Sequence, residues 1–254
     1  MSALLFGEIF MKKIKFIALF SICLLLPTLG QAGENDPITL ESYVLDVPTA
    51  EVFDRYQASF LTRAYDHGTL METIDFGVYP RINLGISLAA HELIGSSSSV
   101  RVLKPNFQVK WKVYDGSLYL PAIAVGYDGR RYGYGYDKHR RYTGTKEYLD
   151  DSKGGYVTFS REIIIPGLMA SAGINLSDFK FDEIYLFTGV FYHLTDTINL
   201  LAEWDNLHNI RDSRANAGVR FYLHPSLALD GVVRRIGRGD ESERILQIHY
   251  VTNF

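Results

Sequence analysis

The chain has 254 residues, 47% hydrophobic and 13% aromatic, with 17 Tyr and 15 Phe, yet its mean hydropathy is close to zero at −0.02. Its formal charge of −3 gives no sign of nucleic-acid binding, and no nucleic-acid partner is expected. A single cysteine, Cys23, excludes a small scaffold stapled by disulfides, so stability must come from size, sheet closure or both.

At the N-terminus, Met11-Lys12-Lys13-Ile14-Lys15 is a short basic head, followed by an apolar stretch from Phe16 to Leu26. That stretch has the length of a signal-peptide core and is too short to span a bilayer. Pro27 ends it, and Gly30-Gln31-Ala32 places small residues at the −3 and −1 positions, so cleavage is expected after Ala32. Met11 is read as the true start and residues 1–10 as an upstream extension. Retention as an uncleaved anchor is disfavoured because polar residues follow at once. A lipoprotein is disfavoured because Phe20-Ser21-Ile22 lacks the small residues a lipobox needs. Removing residues 1–32 takes away Lys12, Lys13, Lys15 and Glu8 and moves the formal charge from −3 to −5. Residues 33–54 are assigned to the periplasm, with pairing as an extra strand or folding into a lumen as the alternatives.

From residue 55 to 254 the pattern changes to period two, and no later stretch is long and apolar enough for a transmembrane helix. About twelve strands are expected, at 55–65, 71–79, 82–93, 106–114, 118–128, 155–164, 169–176, 184–194, 198–205, 215–223, 227–236 and 244–254. Their connections alternate in length. Pro80-Arg81, Asp115-Gly116-Ser117, Ile165-Pro166-Gly167-Leu168, Thr195-Asp196-Thr197 and His224-Pro225-Ser226 are tight and rich in turn formers. Those at 94–105, 129–154, 177–183, 206–214 and 237–243 are longer, with Asp66-His67-Gly68-Thr69 the exception. This rhythm predicts an all-β fold: a closed antiparallel transmembrane β-barrel with short periplasmic turns and longer extracellular loops. A Greek-key sandwich would not produce it.

The faces sort in several strands. Phe107, Val109, Trp111 and Val113 oppose Gln108, Lys110, Lys112 and Tyr114; Ile82, Leu84, Ile86 and Leu88 oppose Asn83, Gly85, Ser87 and Ala89. Ala217, Val219, Phe221 and Leu223 oppose Asn216, Gly218, Arg220 and Tyr222. A charge on the lipid face at mid-membrane costs about 2–4 kcal/mol, so Lys110, Lys112 and Arg220 should face the lumen. A water-soluble barrel would instead have to turn these charges outward. The strands between 118 and 194 alternate less cleanly, and their faces are left unassigned.

The loop after residue 128 reads GRRYGYGYDKHRRYTGTKEY. It interleaves Arg130, Arg131, Arg140 and Arg141 with Tyr132, Tyr134, Tyr136 and Tyr142, combining planar donor forks with flat rings. Such a loop suits an anionic polysaccharide or lipopolysaccharide; equally, it suits a surface loop that counters an anionic leaflet. Inward positions of the later strands add Glu203, Asp205, Arg220, Asp230, Arg234 and His249 to Lys110 and Lys112. These charges form either a ladder that closes the lumen and fixes register or a charge-selective constriction. His224-Pro225-Ser226 is the one His-x-Ser, resembling the pair used by outer-membrane phospholipases and lipid A deacylases. It falls in a turn, where the proline opposes a shared strand face. No catalytic residue, metal site or cofactor is expected.

The last nine residues, Leu246-Gln247-Ile248-His249-Tyr250-Val251-Thr252-Asn253-Phe254, alternate up to a terminal aromatic. They resemble the closing strand of bacterial outer-membrane barrels, with Tyr250 and Phe254 as the assembly signal. That resemblance implies the barrel assembly machinery and outer-membrane lipid, including lipopolysaccharide, as partners. Residues 56–254 also resemble the YjbH-like barrels linked to exopolysaccharide production and secretion. The resemblance lies in Pro105-Asn106-Phe107-Gln108-Val109-Lys110, Pro121-Ala122-Ile123-Ala124-Val125-Gly126-Tyr127-Asp128, Glu203-Trp204-Asp205 and Asn216-Ala217-Gly218-Val219-Arg220. It implies a non-enzymatic outer-membrane accessory to exopolysaccharide export. A small porin-like diffusion channel and a lipid hydrolase are the alternatives.

Overall fold

A computed structural model describes residues 41–65, 68–94, 100–131, 152–163, 165–177, 184–207, 213–238 and 242–254. Expectations about the leader and its cleavage lie outside these residues. Thirteen strands form one antiparallel sheet: β1 (Gln57–Ala64), β2 (Leu70–Tyr79), β3 (Ile82–His91), β4 (Arg101–Val102), β5 (Asn106–Tyr114), β6 (Ala122–Asp128), β7 (Gly154–Glu162), β8 (Leu168–Leu176), β9 (Ile184–Thr195), β10 (Ile198–Asp205), β11 (Arg214–His224), β12 (Leu227–Arg234) and β13 (Glu243–Asn253). Each long strand pairs with its neighbours in sequence, β2 pairs with both β1 and β3, and β1 pairs with β13. The sheet therefore closes as a barrel of twelve long staves. The two-residue β4 extends the line of β5 along the far end of β3.

The closing seam uses the last residues of the chain. Gln57 pairs with Asn253 and Ala64 with Leu246, and the Phe254 N–H donates to the Tyr56 carbonyl at 2.9 Å. The Phe254 ring, 69% exposed, stands edge-on to Tyr56 and Phe76. Closure gives each of the twelve long staves a partner on both sides, which is the condition for strands to cross a bilayer.

Side chains alternate around the wall. Phe107, Val109, Trp111, Val113, Leu84, Ile86, Leu200, Phe221 and Leu246 point outward and stay exposed, whereas Gln108, Lys110, Asn83, Ser87, Asn199, Arg220 and Gln247 are buried inside. An apolar exterior around a polar interior inverts the arrangement of a water-soluble barrel and is that of a barrel standing in lipid. Three of the bulkiest fully buried side chains are arginines, Arg63, Arg220 and Arg234.

Strand boundaries follow the sequence pattern with one sizeable departure. The strand expected from 118 begins at Ala122, because Leu118-Tyr119-Leu120 forms a bend at the rim, secured by Arg161 donating to the carbonyls of Leu118 and Tyr119. β-bulges in β2, β5, β9 and β11 all adjoin the short turns, where the extra residue re-aims the strand ends. Among the faces left unassigned, the inward sides of β6 to β8 carry many small residues, Ala122, Ala124, Gly126, Thr158, Ser160, Ser171 and Gly173, beside the buried Tyr156, Asn175 and Asp128. The scarcity of charge is why alternation is faint there.

Outward orientation of β11 predicts that Val219→Lys destabilises the barrel by about 2–4 kcal/mol, measured by reversible denaturant unfolding in lipid vesicles. A cost below about 0.5 kcal/mol, the ordinary range for a surface change, would place Val219 in water.

Candidate functional site

Residues 41–54, assigned from sequence to the periplasm, lie inside the barrel. The chain leaves β1 backward at Tyr56, enters through the short-turn rim past Gly77, and runs up the lumen. It reverses in a hairpin-like loop in which the Val44 N–H donates to the Val47 carbonyl and the Thr49 N–H to the Ser42 carbonyl, with Tyr43 and Pro48 bridged. Glu41 comes back beside His193, near the short-turn end of β9. Val44, Leu45, Val47, Ala50 and Phe53 are too apolar to remain in water, and all are buried against the inner wall. Leu45 packs with Phe191, Leu201, Val232 and Ile245, and Val47 with Tyr156 and Phe187.

A buried backbone loop is costly unless its polar groups find partners. At the tip, one carboxylate oxygen of Glu203, Oε2, accepts the N–H groups of Leu45, Asp46 and Val47 at 3.1, 2.9 and 2.8 Å. Successive N–H groups converging in this way form an anion-binding concavity, here filled by a side chain of the wall. The other oxygen, Oε1, accepts from Asn216 Nδ2 at 2.6 Å. Lower down, Thr158 donates to the Pro48 carbonyl, Ser160 Oγ accepts from the Ala50 N–H, and Asn83 Oδ1 accepts from the Phe53 N–H.

Asp46 projects from the tip between two buried guanidiniums, 2.6 Å from Arg63 and 2.8 Å from Arg234. Burial alone would push its carboxyl up, but Arg234 and Arg63 outweigh that and hold it well below the usual carboxylate range. Arg63 also donates to the Leu45 carbonyl at 3.0 Å and to Gln247. On the opposite wall Lys110 Nζ donates to Ser42 Oγ at 2.7 Å and to the Ser42 and Glu51 carbonyls, and Lys112 pairs with Glu51 at 2.8 Å. The Tyr43 ring lies between Lys110 Nζ, 4.2 Å away, and the Arg130 guanidinium, 4.0 Å away. The crevice beside Tyr43, lined by Ser42, Asp75, Asn83, Gln108 and Lys110, admits no water-sized sphere.

Two inward glycines make room for the hairpin. A Cβ at Gly189 would fall 3.0 Å from Val44 Cγ2 and 3.4 Å from its Cβ, and one at Gly218 would fall 3.5 Å from Leu45 Cδ2.

Every residue of the lumen charge cluster read from sequence faces inward, but the partners differ. Arg220 and Asp230 pair across β11 and β12 at 2.9 Å, and His249 closes on Asp230 at 2.8 Å, a cross-strand ladder. Lys110, Lys112, Arg234 and Glu203 instead hold the hairpin. The sequence reading missed Arg63, Asp46 and Tyr43. For Arg63 the signal was present, since its parity with Ser59 and Leu61 puts a charge where lipid would forbid it on the other face. Arg130, read as a loop residue for glycan contact, is a correction: it is 2% exposed and forks onto Asp128 at 2.5–3.1 Å. Arg131 is half-buried, and Tyr132, Tyr134, Tyr136, Arg140, Arg141 and Tyr142 lie outside the described residues. In the His224-Pro225-Ser226 turn the His224 Nδ1 accepts the Ser226 backbone N–H at 3.2 Å, so this nitrogen serves the turn rather than the hydroxyl.

The chain is thus a membrane-spanning β-barrel with an occluded lumen. No family model matches it, and no curated protein matches it in sequence. Among solved structures, KdgM porin aligns over 78% of this chain and 99% of its own at 8% identity with a TM-score of 0.48. The Acinetobacter baumannii outer membrane protein Omp33 aligns over 79% and 98% at 9% identity and a TM-score of 0.42. A Rh. blastica porin mutant aligns over 75% and 57% at 12% identity and a TM-score of 0.35.

Replacing Glu203 with alanine removes the acceptor for three consecutive N–H groups. Hydrogen exchange at Leu45, Asp46 and Val47 should then speed up by about tenfold or more, while the strand amides keep their protection, since each hydrogen bond to a charged group contributes about 1.5–3 kcal/mol. Unchanged exchange at the three amides would show that Glu203 does not hold the tip.

Proposed function

We propose that the chain is a porin-like diffusion channel of the bacterial outer membrane whose polar pathway is closed in this state by its own residues 41–54. The single observation behind this reading is the nature of the closure. An eight-stranded barrel is filled by wall side chains alone, whereas this twelve-stranded one is filled by a segment that, among the described residues, continues into the wall through Asp54–Tyr56 at the rim. Beside an apolar patch of Phe187, Phe191, Leu201, Val232 and Ile245, the wall around that segment carries polar and charged groups from Asn83 and Ser160 up to Glu203, which a hydrated path could use. Outer-membrane residence is supported by the lipid-facing exterior and the closure of the barrel through β1 and β13.

The stretches that resemble exopolysaccharide-associated barrels have a plainer use in this chain. Residues 106–110 and 122–128 are staves β5 and β6, and 216–220 is part of β11. They support the architecture and carry no sign of a polysaccharide cargo.

Opening should be controllable. Breaking a buried ion pair from one side costs about 3–5 kcal/mol, so Asp46→Ala, which strips Arg63 and Arg234 of their shared partner, favours withdrawal of the hairpin. Val44→Cys with Gly189→Cys places two thiols on Cβ atoms 3.4 Å apart, at the short end of what a disulfide spans, and the native Cys23 lies ahead of the described residues. In planar bilayers the triple variant should conduct when reduced and fall silent when oxidised. Silence in both states, from protein whose unboiled and boiled forms migrate differently in SDS, would leave a closed structural barrel instead.

A further inference from the structure

Residues 41–54 carry four carboxylates: Asp46 lies 2.6 Å from Arg63 and 2.8 Å from Arg234, Glu51 2.8 Å from Lys112 and Glu41 3.1 Å from the His193 ring, while Asp54 is exposed at the rim. Lys110 adds three contacts, all to hairpin oxygens. In return the wall sets one carboxylate on the hairpin, Glu203, and it is bound to backbone N–H groups rather than to a cation of the hairpin. The remaining wall charges close largely on one another: Arg220 with Asp230 and His249, Arg130 with Asp128, and Lys153 with Asp205 at 2.8 Å. Asp75, a buried wall acid, lines the same crevice as Lys110. The charge exchanged between hairpin and wall is therefore one-sided, with acid on the hairpin and base on the wall.

We infer that the wall beneath the hairpin is an anion-binding path, and that Asp46 and Glu51 occupy the positions that the carboxylates of a small polyanionic solute take when the hairpin withdraws. Arg63 and Arg234 converge on one carboxylate with planar donor forks, a geometry that reads carboxylate groups directly. Without Asp46, Arg234 keeps Glu243 at 2.9 Å while the Arg63 guanidinium loses its carboxylate, and an incoming carboxylate restores that pairing. Lys110 and Lys112, two residues apart on the inward face of β5, supply a second pair of positive groups across the lumen. The solute class follows from the chemistry: small, hydrophilic and carrying more than one carboxylate.

This inference rests on the channel reading, and the experiment separates the two. In the reduced Asp46→Ala, Val44→Cys, Gly189→Cys variant under a potassium chloride gradient, the reversal potential should show chloride preferred severalfold over potassium. Lys110→Gln with Lys112→Gln should bring the preference towards unity, and Glu203→Gln should raise it. Current that is unselective or favours potassium overturns the anion path and leaves the channel standing; absence of current in both redox states overturns both. A second measurement needs no current. In Val44→Cys, Gly189→Cys with Asp46 retained, citrate at constant ionic strength should slow disulfide formation severalfold by competing with the hairpin, whereas spermidine should not. Equal effects of the two ions, or none from citrate, overturn the anion assignment.

Discussion

A barrel of twelve long staves encloses more space than its own side chains fill, and everything inside this one answers to that constraint. Closing the space with backbone is hazardous, because each unpaired N–H or carbonyl in a water-poor interior costs free energy. The chain solves this at one atom. Oε2 of Glu203 takes three consecutive N–H groups at the tip of the hairpin, and its other oxygen is held by Asn216. A tip fixed there puts Asp46 between Arg63 and Arg234, Val44 over Gly189, and Tyr43 between Lys110 and Arg130. Loss of the carboxylate undoes the set together, because these contacts share one short loop.

Two kinds of buried charge coexist in the lumen. The Arg220–Asp230–His249 ladder joins neighbouring strands and fixes their register, so it belongs to the barrel whether or not the hairpin is present. The Asp46 and Glu51 pairs join the barrel to a segment that enters from its rim. A buried pair of the second kind adds little net stability over an apolar contact, since desolvation offsets much of the attraction. Its value is specificity: the hairpin has one place to sit, and when it moves Arg63, Arg234 and Lys112 lose the carboxylates it brings.

Much of the wall was legible in the sequence. Staves with charged inward residues, such as β5 with Lys110 and Lys112 and β11 with Arg220, declared their faces through the cost of a charge in lipid. β6 to β8 did so less clearly, because many of their inward residues are alanine, glycine, serine and threonine, which are tolerated on either side, with Tyr156 and Asp128 among them. The bend at Leu118-Tyr119-Leu120 was mistaken for strand because its apolar content matches the stave that follows.

The hairpin was the least legible part, for two physical reasons. Its apolar residues, Val44, Leu45, Val47, Ala50 and Phe53, follow neither strand nor helix periodicity, and its anchoring partner Glu203 lies 156–158 residues away. The apolar content of Val44 to Val47 was the available clue that this stretch would not remain in water. The central claim, that this segment sits within the lumen with its tip against β9 and β10, is tested most directly by crosslinking. In folded Val44→Cys, Gly189→Cys protein reconstituted in lipid, mild oxidation should join the peptides containing residues 44 and 189 in nearly every molecule, as read by mass spectrometry. Two thiols that both remain free and open to a water-soluble alkylating reagent would place the segment outside the barrel and contradict the account.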